Sequence, residues 1–149
     1  MIVYKEDRRV AYTPKQMFDL VADVEKYPEF VPGCRHVAIM WKGGGKIEAR
    51  MKAKSLGMTT EFTSKVSFDE PKSIDIMSQG QPFKRLASRW SFDVDDAGGG
   101  CLVAYQMELE VGIKMLEGTV AALLAPAAKK TVEAFIARAD ALYGAKPAS

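Results

Sequence analysis

KMLEGTVAALLAPAAKKTVEAFIARADALYG, Lys114–Gly144, is the stretch on which the reading of the whole chain turns. It is the only long segment whose apolar residues recur at helical spacing. Leu116, Val120, Leu123, Leu124, Ala127, Phe135, Ile136, Ala139, Leu142 and Tyr143 fall mostly three or four apart and mark one broad stripe. Lys129, Lys130, Glu133, Arg138 and Asp140 fill much of the other side. Burying such a stripe stabilises by about 1.5–3 kcal/mol per large side chain before entropy is subtracted. The helix therefore needs a complementary apolar surface. Pro126 has no N–H to donate and clashes one turn back, so a kink or break is expected near Leu124–Ala125.

The chain ahead of this helix supplies that surface. From Cys34 onward the apolar period is two: Val37, Ile39 and Trp41 alternate up to the turn Gly43-Gly44-Gly45. Ile47, Ala49, Met51 and Ala53 then face one way, and Lys46, Glu48, Arg50, Lys52 and Lys54 the other. Further inward series are Thr60, Phe62, Ser64, Val66 and Phe68; Ile74 and Ile76; Leu86, Ser88, Trp90, Phe92 and Val94; and Val103, Tyr105, Met107, Leu109 and Val111. Turns are expected at Leu56-Gly57, Asp69–Lys72, Gly80–Phe83 and Asp95–Gly100. Residues 2–12 read as a first strand whose charge suits a sheet edge. Thr13-Pro14-Lys15-Gln16 starts a helix with a capping box and proline at the first helical position. Asp23 is placed to cap a second short helix, which Pro32-Gly33 ends. The order is strand, two short helices, six strands, long helix. That is an α+β chain, one domain over residues 1–149, with an antiparallel sheet of about seven strands curled around the terminal helix.

Composition narrows the function classes. Hydrophobic content and charge are those of an ordinary globular domain, and the net charge is only +2, so any anionic partner must be met by local charge. No apolar run approaches the ~18–20 residues of a membrane span, and Met1–Val3 leads straight into KEDRR without a signal-peptide pattern, which points to the cytoplasm. Cys34 and Cys101 lie far apart and read as free thiols. His36 is the only histidine; it sits two residues from Cys34 with no third group to orient it. The triple glycines at 43–45 and 98–100 are hairpin punctuation, not phosphate loops. No metal-ligand set and no catalytic constellation stands out, so no enzyme is expected.

Two surfaces remain. The inward series mixes Ala49, Ala53, Thr60, Ser64 and Ser88 with Phe62, Trp90, Met51 and Met107. Such a mixture fits either a packed core or an incompletely filled apolar space with adaptable methionine walls. On the other face, Lys46, Arg50, Lys52 and Lys54 form a basic stripe, which suits membrane phosphates, RNA or a plainly solvated sheet.

The segment YTPKQMFDLVADVEKYPEFVPGC carries a resemblance. Met17, Phe18, Leu20, Val21, Asp23, Val24, Tyr27, Pro28, Phe30, Pro32 and Cys34 are similar to the N-terminal signature of the coenzyme Q-binding, START-like family, also labelled polyketide cyclase/dehydrase. Pro82-Phe83-Lys84 with Leu86, Trp90-x-Phe92 and the ending AFIARADALYG resemble later stretches of that family, although Gln81 interrupts its usual Gly-Pro-Phe. Gly33 stands where many quinone-associated members have Trp, and is shared with members described as ribosome-association toxins. The resemblance implies a helix-grip (START/Bet v 1-like) fold and a lipid-sized tunnel holding ubiquinone or a similar polyisoprenoid, with no catalytic cofactor. The expected lining is Met51, Phe62, Trp90, Met107, Leu116, Val120, Leu124 and Phe135, with Tyr27, Phe30, Pro32 and Phe83 at the mouth. It also implies two other functions: a ribosome-binding toxin that blocks subunit association, its basic stripe on rRNA, and, on fold analogy alone, an aromatase or cyclase.

Overall fold

A computed structural model describes residues 2–55, 58–80, 83–95, 100–112 and 117–144. The elements are β1 (Ile2–Val10), α1 (Pro14–Ala22), a 3-10 helix (Val24–Glu29), β2 (Cys34–Gly43), β3 (Lys46–Ser55), β4 (Met58–Asp69), β5 (Ser73–Gly80), β6 (Phe83–Asp95), β7 (Gly100–Val111) and α2 (Glu117–Tyr143). The seven strands form one antiparallel sheet in the order β1-β7-β6-β5-β4-β3-β2. This is the expected α+β arrangement, a curved sheet holding a terminal helix. The turns expected at residues 56–57, 81–82 and 96–99 lie outside the described residues.

Local chemistry explains how the chain enters the sheet. Thr13 accepts from the Gln16 amide at 3.1 Å while the Gln16 side chain accepts from the Thr13 amide at 2.9 Å, a complete capping box. Met17, Phe18, Leu20 and Val21 of α1 are buried against the sheet and α2. Asp23 does stand at the start of the 3-10 helix, but its side chain makes no capping bond. At the exit, Gly33 has φ +81, and its carbonyl accepts from the Lys54 amide at 2.7 Å. A Cβ there would lie 2.6 Å from the Lys54 carbonyl oxygen. Gly33→Ala combines that clash with a left-handed backbone, so it is expected to cost about 1–3 kcal/mol. A urea melt checks this: the midpoint should fall at an unchanged slope, and an unmoved midpoint refutes it.

Three expectations are corrected. The register of β2 against β3 shifts between Ile39 and Trp41. Met40 is the extra residue, so Trp41 leaves the inward series and stands on the outer face, 56% exposed. Val94 follows the inward alternation but, near the end of β6, is exposed. Finally, of the kink or break expected near Leu124–Ala125, the break does not occur: α2 is helical through Pro126. Ala122, one turn back, is exposed, as are Ala125, Pro126 and Ala127, so the carbonyl that loses its partner at Ala122 faces water and the helix continues.

Candidate functional site

Burial along α2 changes from one end to the other. Ala128, Val132, Phe135 and Ala139 recur at helical spacing and are at most 1% exposed. Val120 and Leu124 continue the same stripe toward the N-terminal end and are only half-buried. The last turns of the helix are therefore packed into the sheet, and the first turns are not.

The packed half is an aromatic cluster. Phe135 meets Tyr27, Phe30 and Trp90 with ring centroids at 5.3, 4.9 and 4.8 Å, and Trp90 meets Tyr105 at 4.5 Å. The first two contacts are edge-to-face, the favourable orientation of ring quadrupoles. The Tyr27 hydroxyl donates to the Val21 carbonyl, and burial pushes its pKa well above the ordinary value. Arg138 lies over the Phe30 ring at 5.0 Å and donates to Glu29 at 2.8 Å, which draws the Glu29 carboxyl below its usual pKa.

The inward positions beyond this cluster are partly exposed and adjoin one another. They are Thr60 and Phe62 on β4, Ile76 on β5, Leu86 and Ser88 on β6, and Met107 on β7. The pairings Ile76↔Ser88 and Ser88↔Met107 run this group across the sheet. Its border is polar where Ser64 and Ser78 face each other at 2.7 Å, Ser64 also reaching the Met51 sulfur at 3.6 Å. Ser88 hydrogen-bonds Tyr105, whose pKa burial nonetheless pushes upward. On β1 the same alternation brings Tyr4, Glu6 and Arg8 to the interior side. Glu6 accepts from the Tyr4 hydroxyl and from Arg8 Nε, and Arg8 reaches Glu133 of α2 at 3.7 Å. Burial, with Glu6 second, holds the Tyr4 hydroxyl up to about 12. These phenols keep their protons at neutral pH, and the wall they belong to is apolar with hydroxyls set into it. Such a wall solvates an apolar chain and donates hydrogen bonds to a polar end.

The structure separates the residues expected at the site into two groups. Phe62, Met107, Val120 and Leu124 are partly exposed. Tyr27, Met51, Trp90 and Phe135 are buried, at most 7% exposed. Phe30 is half-buried on the cluster and Pro32 is exposed. Leu116 and the side chain of Phe83 lie outside the described residues. Lys46, Arg50, Lys52 and Lys54 are all exposed on the outer face. The inward Glu6 was not anticipated, although the alternation Ile2, Tyr4, Glu6, Arg8, Val10 carries the signal. Among the described residues no helix is long and apolar enough to cross a membrane.

Comparison with known proteins agrees with this architecture. Residues 10–136 match the family described as polyketide cyclase / dehydrase and lipid transport. The ribosome association toxin RatA of Vibrio cholerae serotype O1 is 32% identical over 136 residues, covering 91% of this chain and 93% of the toxin. The mitochondrial coenzyme Q-binding protein COQ10 of Dictyostelium discoideum is 27% identical over 151 residues, covering 96% of this chain and 72% of that protein. A solved START superfamily protein from Mycobacterium smegmatis superposes with a TM-score of 0.82 at 20% identity, over 94% of this chain and 98% of its own.

Proposed function

We propose that this chain, which belongs to the polyketide cyclase / dehydrase and lipid transport family, takes up an isoprenoid quinone or a similar polyisoprenoid lipid in its interior. It would act as a carrier or chaperone in respiration or quinone synthesis, with no chemistry on the ligand. One observation carries the reading: the stripe of α2 is sealed from Ala128 to Ala139 but half-exposed at Val120 and Leu124, and Phe62 and Met107 on the inward side of the sheet are half-exposed as well. Moving an apolar tail from water onto that surface gains about 25 cal/mol per Å² buried. The likeness to a coenzyme Q-binding protein supports the ligand class. Protein purified from a quinone-producing host and extracted with organic solvent is expected to yield quinone near one per chain. Protein that emerges empty and also fails to take ubiquinone from vesicles refutes the reading.

A second reading has its own support. The likeness to RatA and the exposed basic face favour association with the ribosome. It predicts salt-sensitive cosedimentation with the large subunit, weakened by Lys52→Glu with Lys54→Glu. Absence of cosedimentation at low salt removes it.

A further inference from the structure

We infer that the outer face of β2 and β3 binds single-stranded RNA, with Trp41 as the stacking platform and the cations of β3 along the phosphates. The inference rests on the same face as the ribosome reading and names what that face would hold; it does not depend on what the interior holds, because the residues concerned point away from it.

The bulge at Met40 turns Trp41 outward, onto the face that carries Lys46, Arg50 and Lys52. Its cross-strand partner is Glu48, and along the outer side of β2 it is flanked by Ala38 and Gly43, both small; the indole is 56% exposed. A Cβ built on Gly43 would touch Trp41 Cζ2 and Cη2 at 3.6 and 3.8 Å. The ring thus lies along the strand over the hairpin and does not project beyond its tip. That posture offers a stacking surface and suits bilayer insertion poorly.

Charge is concentrated on the same face. The outward positions 46–54 of β3 and 59–67 of β4 hold Lys46, Arg50, Lys52, Lys54 and Lys65 against Glu48 and Glu61. The face is net +3 on a chain whose total is +2, which leaves the remainder net −1. Among the described residues, none of these five cations has an ion-pair partner within 4.0 Å. Arg50, Lys52 and Lys54 repeat every second residue, about 7 Å apart along the strand. A linear polyanion with exposed bases complements a row of unpaired cations ending beside an indole. RNA is the nucleic acid whose loops and ends ordinarily present unstacked bases.

The chain has only two tryptophans, and Trp90 is 3% exposed, so accessible indole fluorescence reports Trp41. A U-rich RNA 12-mer is expected to quench it at 50 mM salt. With about four phosphate contacts, binding should weaken by roughly 30–50-fold on going to 200 mM salt. With labelled RNA followed by anisotropy, Trp41→Ala should lose affinity by about 5–100-fold, and Lys52→Glu with Lys54→Glu should lose at least about tenfold and flatten the salt dependence. These exposed substitutions should leave circular dichroism unchanged. A duplex of the same length should bind at least about fivefold more weakly, because its bases are stacked away. No saturable RNA binding at 50 mM salt overturns the inference, and so does unchanged affinity in Trp41→Ala. A Trp41 response to anionic phosphatidylserine vesicles without one to RNA assigns the face to membranes and overturns it equally.

Discussion

Replacing Phe135 with alanine is expected to lower the stability of the fold by about 3–5 kcal/mol, a large part of what a domain of this size possesses. Phe135 is 1% exposed and joins three elements: its own helix, the 3-10 helix and the residue after it through Tyr27 and Phe30, and β6 through Trp90. Alanine removes the ring and leaves a cavity that three other rings cannot close without abandoning their own contacts. Phe135→Leu keeps most of the volume and should cost considerably less. Urea melts of the two variants measure the difference. A loss below about 1 kcal/mol for the alanine variant shows that the cluster is not the keystone described.

Leu124→Trp, on the same stripe three turns earlier, is expected to do the reverse. The fold should tolerate it with little change in melting temperature, because Leu124 is only half-buried and a larger ring there is not forced into a closed core. Occupying that surface should exclude a lipid tail, so quinone recovered from the purified protein should fall by about tenfold or more. The two readouts are independent. A well-filled interior would instead resist the larger ring by about 1–3 kcal/mol, as overpacked cores do, and that outcome would count against lipid uptake altogether.

The difference between these two leucine-and-phenylalanine positions is what periodicity does not report. Spacing placed both on one face of one helix, but how deeply each is covered depends on the distance to a sheet whose curvature has no local code. The strands themselves were legible wherever alternation was uninterrupted, as in Ile47–Ala53, Thr60–Val66 and Val103–Leu109. They were misread at Trp41 because one extra residue reverses every side chain beyond it, and nothing in WKGGG announces a bulge. Pro126 was read from its intrinsic cost alone; its exposure makes the missing hydrogen bond a matter for water. On β1 the heavy charge suits a sheet edge, which β1 is, but it does not report that the pairing Tyr4↔Met107 sets Glu6 and Arg8 inward, where each finds a partner. The family signature at Met17–Cys34 was informative for a related reason: those residues build α1 and the aromatic cluster, where close packing restricts the choice of side chain.

The sheet ends in two edges, β1 and β2, that do not pair with each other. The 3-10 helix packs on β2, α2 packs on β1, and the two sides are joined by the rings of Tyr27 and Phe30 on Phe135 and by Arg138 on Glu29. A continuous barrel admits a long guest only through an end or by breaking a ladder of backbone hydrogen bonds. Here the gap between the edges is covered by α1, the 3-10 helix and α2 through side-chain contacts, so loosening the Tyr27, Phe30 and Phe135 rings and the Arg138–Glu29 bond leaves every strand pairing intact. If a lipid is held as proposed, its exchange rate is expected to follow those contacts and not the global stability of the sheet. Trimming the Arg138–Glu29 contact should quicken exchange, while the amides of β4–β7 remain as protected from solvent hydrogen as before.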